Sequence, residues 1–125
     1  MIELAKLIEG PIVIIGGKED MTDGRAIASA IGSRVFDATG KFDLLGSASL
    51  IENSNAVIAH DSGAMHMAAA FRKKIVSVWG NTVPQFGMGP YIPTDPDRAM
   101  LAEVHGLPCR PCSKIGYARC PQGHF

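Results

Sequence analysis

The chain has 125 residues, with 12 basic and 12 acidic side chains and a formal charge of zero, so it is of single-domain size and has no electrostatic pull toward nucleic acid or anionic membranes. A composition of 46% hydrophobic and 19% charged residues excludes a disordered tail, and the longest apolar run, Ile12–Ile15, is far too short to span a bilayer. Met1-Ile2-Glu3 lacks a basic head and Glu9-Gly10-Pro11 breaks the first apolar stretch, so no signal peptide is predicted and the cytoplasm is the expected location.

Ile2, Ala5, Leu7 and Ile8 recur at helical spacing and predict a helix over 2–9, stopped by Gly10-Pro11. The β-branched run Ile12–Ile15, closed by Gly16-Gly17, predicts a strand buried on both faces. Asp20 or Thr22 can cap the next helix, with Ala26, Ile27, Ala30 and Ile31 on one side and Gly32 at its end. Arg34–Asp37 is a short strand and 38–40 a loop. Asp43 opens a helix carrying Leu44, Leu45, Ala48 and Ile51, which stops near Asn53. Ala56–Ala59 is the third strand, Asp61-Ser62-Gly63 a turn, Ala64–Phe71 a helix and Ile75–Trp79 the fourth strand. Beyond Gly80 seven prolines punctuate the chain, and only a helix over Pro96–Val104 is predicted there.

Strict alternation of strand and helix calls for a doubly wound, α/β parallel sheet reached by right-handed crossovers. The expected strand order is 2-1-3-4, ending near residue 79, with residues 1–106 as a Rossmann-like domain and 107–125 as a Cys/Pro-rich tail. In such a sheet the ligand lies beyond the carboxyl ends of the strands, where the winding reverses. The loops after the first and third strands, Gly16–Asp20 and His60–His66, meet that description and carry the densest polar chemistry.

In the second loop, the first N–H groups of the helix have no internal partner and favour an anion. Gly63 admits a phosphate close to the backbone, the Ser62 hydroxyl adds a donor, and His66 lies on the first turn. Asp61 repels phosphate but suits a sugar diol. The competing reading is structural, with Asp61 capping the helix and His66 a solvated surface residue. The first loop matches neither the dinucleotide fingerprint nor the Walker spacing. Its Lys18 can meet a phosphate and its Glu19 or Asp20 a ribose, or it is only a tight turn. In the tail, Cys109, Cys112, Cys120 and His124 have a spacing that a zinc ion could use, against the alternative of a proline-rich loop with reduced thiols.

The run Ala56–Ala70 containing Asp61-Ser62-Gly63-Ala64-Met65-His66, followed by Ile75–Gly80, resembles the signature of the heptosyltransferases, glycosyltransferase family 9. Gly87-Met88-Gly89-Pro90-Tyr91 and the Cys-Pro segment resemble the same family. The resemblance implies the C-terminal, sugar-nucleotide-binding lobe of a GT-B type enzyme that transfers heptose from ADP-heptose to the lipopolysaccharide core. It implies that Asp61 holds the heptose hydroxyls, Ser62 and Gly63 the pyrophosphate, with His66 nearby. Phe42 would pack beside the adenosine, and Lys18 and Glu19 would reach the ribose. No cofactor or catalytic metal is implied, no nucleic acid, and a peripheral membrane acceptor at most. Family members also carry a strand preceding the position of Ile2, central to the sheet between strands one and three, and an acceptor-binding lobe. The chain is therefore expected to be inactive alone, needing that lobe or self-association, or else to be a non-catalytic nucleotide-binding or assembly module of the same fold.

Overall fold

The computed structural model describes residues 1–124; Phe125, the end of the expected tail, lies outside the described residues. The chain forms two compact units, Met1–Ser47 and Ala48–Phe125.

The first unit contains α1 (Ile2–Leu7), β1 (Ile12–Ile14), a 3-10 turn over Lys18–Asp20, α2 (Met21–Ile31) and β2 (Val35–Asp37). α3 (Leu44–Glu52) crosses the boundary between the units. β1 and β2 are parallel, with Ile12 opposite Val35 and Ile14 opposite Asp37, and α2 is their crossover. Gly32, at φ 89°, ends α2 by donating its N–H to the Ala28 carbonyl, a conformation open to glycine at little cost. The Arg34 guanidinium then donates to the carbonyls of Ala5 and Ile8 at the end of α1, satisfying acceptors the helix leaves open. β1 is not buried on both faces as expected. Val13 and its register partner Phe36 are 46% and 51% exposed, because a two-stranded sheet carries one face that its own helices leave open.

The second unit contains β3 (Ala56–His60), α4 (Gly63–Ala70), β4 (Lys74–Trp79), 3-10 turns at Pro84–Phe86 and Pro96–Arg98, and β5 (Ala99–Glu103). All three strands are parallel, in the order β3-β4-β5. β4 alternates as a half-buried strand should, with Ile75, Ser77 and Trp79 at most 2% exposed. α4 buries Met65, Ala68 and Ala69, and Ser77 donates its hydroxyl to the Met65 sulfur at 3.2 Å. Burial of residues such as Ile75 and Met65 contributes about 1.5–3 kcal/mol each. α4 ends where Arg72 enters the left-handed region at φ 55°, with Lys73 N–H on the Ala68 carbonyl and Arg72 N–H on that of Ala69.

Two further expectations need correction. The single sheet ordered 2-1-3-4 is not formed, since β1 pairs only with β2, and β3 only with β4. Alternation dictates that neighbours run parallel, and they do; it carries no information on whether two such pairs share one ladder. The expected helix over Pro96–Val104 is instead a 3-10 turn followed by β5, and the sheet does not end at residue 79. Ala99-Met100-Leu101-Ala102-Glu103 favours helix locally, but the edge of β4 offers hydrogen bonds, with Ile75 opposite Ala99 and Trp79 opposite Glu103.

Candidate functional site

In the second unit, β3 delivers Asp61 and Ser62 to the head of α4. Ser62 is the N-cap, extended at φ −156° and ψ 164°, and its carbonyl accepts the N–H groups of Met65 at 3.1 Å and His66 at 3.4 Å. No side chain caps the helix. The Gly63 and Ala64 amides therefore have neither an intrahelical acceptor nor a side-chain one, and the partial positive charge of the helix start is not offset by a capping group. A Cβ built on Gly63 would meet nothing within 4 Å, so the surface at this residue is open. Ser62, Gly63 and His66 are exposed and Asp61 is half-buried. The competing assignment of Asp61 as the helix cap is not met, because the cap position belongs to Ser62.

In the first unit, the loop after β1 is shaped by its two glycines. Gly17 N–H donates to Asp20 Oδ2 at 2.8 Å, so Asp20 closes its own turn instead of capping α2 through its side chain. A Cβ on Gly17 would overlap the Glu19 carboxylate, which folds back over the loop. Gly40 N–H donates to the Gly16 carbonyl at 3.0 Å, which ties the loops after β1 and β2 together. Lys18 and Glu19 are exposed. Phe42 is 45% exposed and lies against Gly46 on the first turn of α3, where a Cβ would come within 3.0 Å of it. Asp43 Oδ1 accepts the Gly46 N–H at 2.8 Å, fixing that helix start.

Lys18, Glu19 and Phe42 thus belong to the first unit, and Asp61, Ser62, Gly63 and His66 to the second. Sequence reasoning passed over one feature of each. At the end of β2, Asp37 accepts the Thr39 N–H at 3.0 Å and hydroxyl at 2.6 Å, and these bonds lower its pKa below the usual carboxylate value. An acidic residue closing the second strand of a β-α-β unit is the signal that could have found it. In the second unit, Arg110 pairs with Glu103 at 2.8 Å, both side chains under 10% exposed, and donates to the carbonyls of Gly80, Thr82 and Val104. No local pattern announces that cluster. It lies beside an open cleft of about 360 Å³ at the carboxyl ends of β4 and β5, lined by Trp79, Gly80, Glu103 and Val104 among others. None of the expected site residues lines this cleft, nor a second one at the start of β3 and β4.

Residues 3–116 match the family model of glycosyltransferase family 9 (heptosyltransferase). The chain is 31% identical over 97 residues to lipooligosaccharide heptosyltransferase 2 of Haemophilus influenzae, covering 74% of this chain and 27% of that protein. Among solved structures it is similar to ADP-heptose lipopolysaccharide heptosyltransferase II of E. coli, with a TM-score of 0.69 and 27% identity over 84% of this chain and 33% of that one. A glycosyl transferase family 9 protein of Veillonella parvula gives a TM-score of 0.67 and 29% identity, over 78% of this chain and 27% of that one. The chain thus spans about a quarter to a third of the length of these relatives. By the extent of the family match and the shared α/β, Rossmann-like fold of its neighbours, the chain belongs to glycosyltransferase family 9, the heptosyltransferases.

Proposed function

We propose that this chain is the donor-binding part of a heptosyltransferase-like enzyme of lipopolysaccharide core synthesis, corresponding to the C-terminal lobe, and that it holds an ADP-heptose-like sugar nucleotide by its diphosphate at the head of α4. The observation that carries the reading is the uncapped, open helix start at Ser62-Gly63-Ala64 with Asp61 immediately before it. When the bond between the sugar carbon and the phosphate oxygen breaks, negative charge grows on the departing diphosphate. Amides already aimed at that position, with the helix dipole behind them, stabilise the charge without reorganising. Each hydrogen bond to the charged group contributes about 1.5–3 kcal/mol. Asp61 accepts the sugar hydroxyls and His66 lies on the phosphate side; for Lys18 and Glu19 at the ribose and Phe42 at the base, the support is the family resemblance alone.

No residue of the chain is assigned as the catalytic base. Transfer needs a base at the acceptor hydroxyl and a wall that excludes water, and two-lobed transferases obtain both by closing one lobe on the other. The second lobe comes from further polypeptide or from another copy. Among the described residues no helix is long and apolar enough to cross a membrane; the lipid-linked acceptor would be met from the cytoplasmic side.

The test is isothermal titration of the chain with ADP, ADP-heptose and a UDP-sugar. The reading requires the adenine compounds to bind and Gly63→Val to weaken them by roughly tenfold or more, about 1.4 kcal/mol. Absence of binding by any nucleotide makes the chain a module that kept the fold without the ligand. Equal affinity in a folded Gly63→Val protein removes α4 from the site.

A further inference from the structure

The three cysteines of this chain and one of its four histidines lie together after residue 108, a segment that the proposed donor site does not use. Residues 104–124 contain no helix or strand. The segment is fastened to the sheet at its near end, by the Arg110 cluster, by Cys112 N–H on the Asn81 carbonyl at 3.0 Å and by Asn81 Nδ2 on the Tyr117 carbonyl at 2.7 Å. Beyond those ties, a long stretch without regular structure and with little burial has few means of holding one conformation. What draws it together is sulfur and imidazole. Cys109 Sγ lies 3.6 Å from His124 Nδ1, and His124 N–H donates to Cys120 Sγ at 3.2 Å. Cys112 follows Cys109 with two residues between them and is half-buried. None of the three cysteines forms a disulfide.

These distances have a chemical reading. With Zn–S of about 2.3 Å and Zn–N of about 2.0–2.1 Å, a tetrahedral angle places a thiolate sulfur and an imidazole nitrogen of one ion roughly 3.6 Å apart. The Cys109–His124 pair already has that separation. Cys109 and Cys112 supply the two-residue spacing common to structural zinc knuckles, and Cys120 and His124 the opposite arm. His124 is drawn to Cys109 and to Cys120, and Cys112 joins the set by its spacing; among the described residues no three His, Cys, Asp or Glu side chains form a ready metal cage.

We infer that Cys109, Cys112, Cys120 and His124 form a structural site for a thiophilic divalent cation, zinc, which closes the tail against the end of the sheet. Four protein ligands leave no open position, so the ion is a staple and takes no part in sugar chemistry. Binding ties four side chains to one ion, so ordering of the tail becomes dependent on metal.

The whole chain, purified without chelator, tests this through its metal content and its cobalt(II) spectrum. One zinc per chain is expected by elemental analysis. Cobalt(II) added to the stripped protein should give the intense visible bands of tetrahedral thiolate coordination and be displaced by zinc. Zinc should also suppress the reaction of the thiols with Ellman's reagent. Cys120→Ala should lose the ion, whereas Cys120→His, which keeps four ligands, should retain it. That comparison separates loss of a ligand from loss of the fold. Octahedral cobalt spectra, substoichiometric zinc, thiols equally reactive with and without zinc, or a Cys109–Cys112 disulfide in protein purified under reducing conditions would overturn the assignment.

Discussion

Removing one partner of the Arg110–Glu103 pair should destabilise this chain far more than removing an exposed ion pair. The two side chains are 6% and 7% exposed and 2.8 Å apart, so cutting Glu103 to leucine strands a guanidinium out of reach of solvent. Such a loss costs about 3–5 kcal/mol. At 0.05–0.15 kcal/mol per residue, a chain of this length has roughly 6–19 kcal/mol in total, so the change consumes a large share of it. The midpoint of thermal unfolding should fall by about 10–20 °C. Arg110→Met should cost at least as much, because it also deprives the carbonyls of Gly80, Thr82 and Val104 of their donor. The double variant should recover part of the loss and not all of it, since the stranded charge is gone but the carbonyls stay unpaired. Arg98–Asp95, with side chains 43% and 37% exposed, is the internal control, and its removal should cost no more than about 1 kcal/mol. Urea and thermal unfolding of the four variants supply the comparison. A Glu103→Leu cost as small as that of the control would refute the claim that this cluster fastens the tail to the sheet.

Gly24→Ala should destabilise the first unit by about 1–3 kcal/mol, although alanine is the better helix former by about 1 kcal/mol. Its Cβ would lie 2.6 Å from Asp37 Oδ1 and 2.7 Å from Thr39 Oγ1, and a gain in stability on urea unfolding would show that α2 does not pack there. Asp37 should titrate below the usual carboxylate range because the Thr39 hydroxyl and amide donate to it. Its folded pKa is depressed, so its contribution to stability is present above the ordinary carboxylate pKa and lost as pH falls through the lowered value. Thr39→Val should move the Asp37 titration upward in a carbon-detected NMR experiment, and an unmoved titration would exclude the hydroxyl as the main cause. The purified chain, given ADP-heptose and lipopolysaccharide core acceptor, should transfer no sugar; turnover of ~1 per second or faster would mean that self-association supplies the second lobe.

The parts of the fold legible in the sequence are those in which local pattern and tertiary outcome agree. Ala56–Ala59 and Ile75–Trp79 are strand-forming runs that became neighbouring parallel strands, and Asp61-Ser62-Gly63 reads as a helix start because short polar residues there precede an alanine-rich face. β5 was illegible because Ala99–Glu103 is made of helix formers, and only the free edge of β4, remote in sequence, turns it into a strand. The break between β1-β2 and β3-β4-β5 was illegible for a different reason: each strand reports its own burial and nothing about which strand lies beside it. At the site, the residue types at the head of α4 could be read off, but the absence of a capping side chain could not, since serine, aspartate and asparagine are chosen at such positions for capping as often as for ligands. Arg110 gave no signal at all, because its partners come from Gly80, Thr82, Glu103 and Val104, which only the folded chain brings to it.

The central claim is that the diphosphate of an adenine sugar nucleotide sits on the free amides of α4, and backbone amide chemical shifts report on those amides directly. Titration of the isotope-labelled chain with ADP, and separately with inorganic pyrophosphate, should shift the N–H resonances of Ser62, Gly63 and Ala64 most strongly and saturably. Amides of the cleft around Trp79 and Val104 should move little. Saturating ADP binding that leaves the Ser62–Ala64 amides in place while shifting those of the cleft would contradict the account.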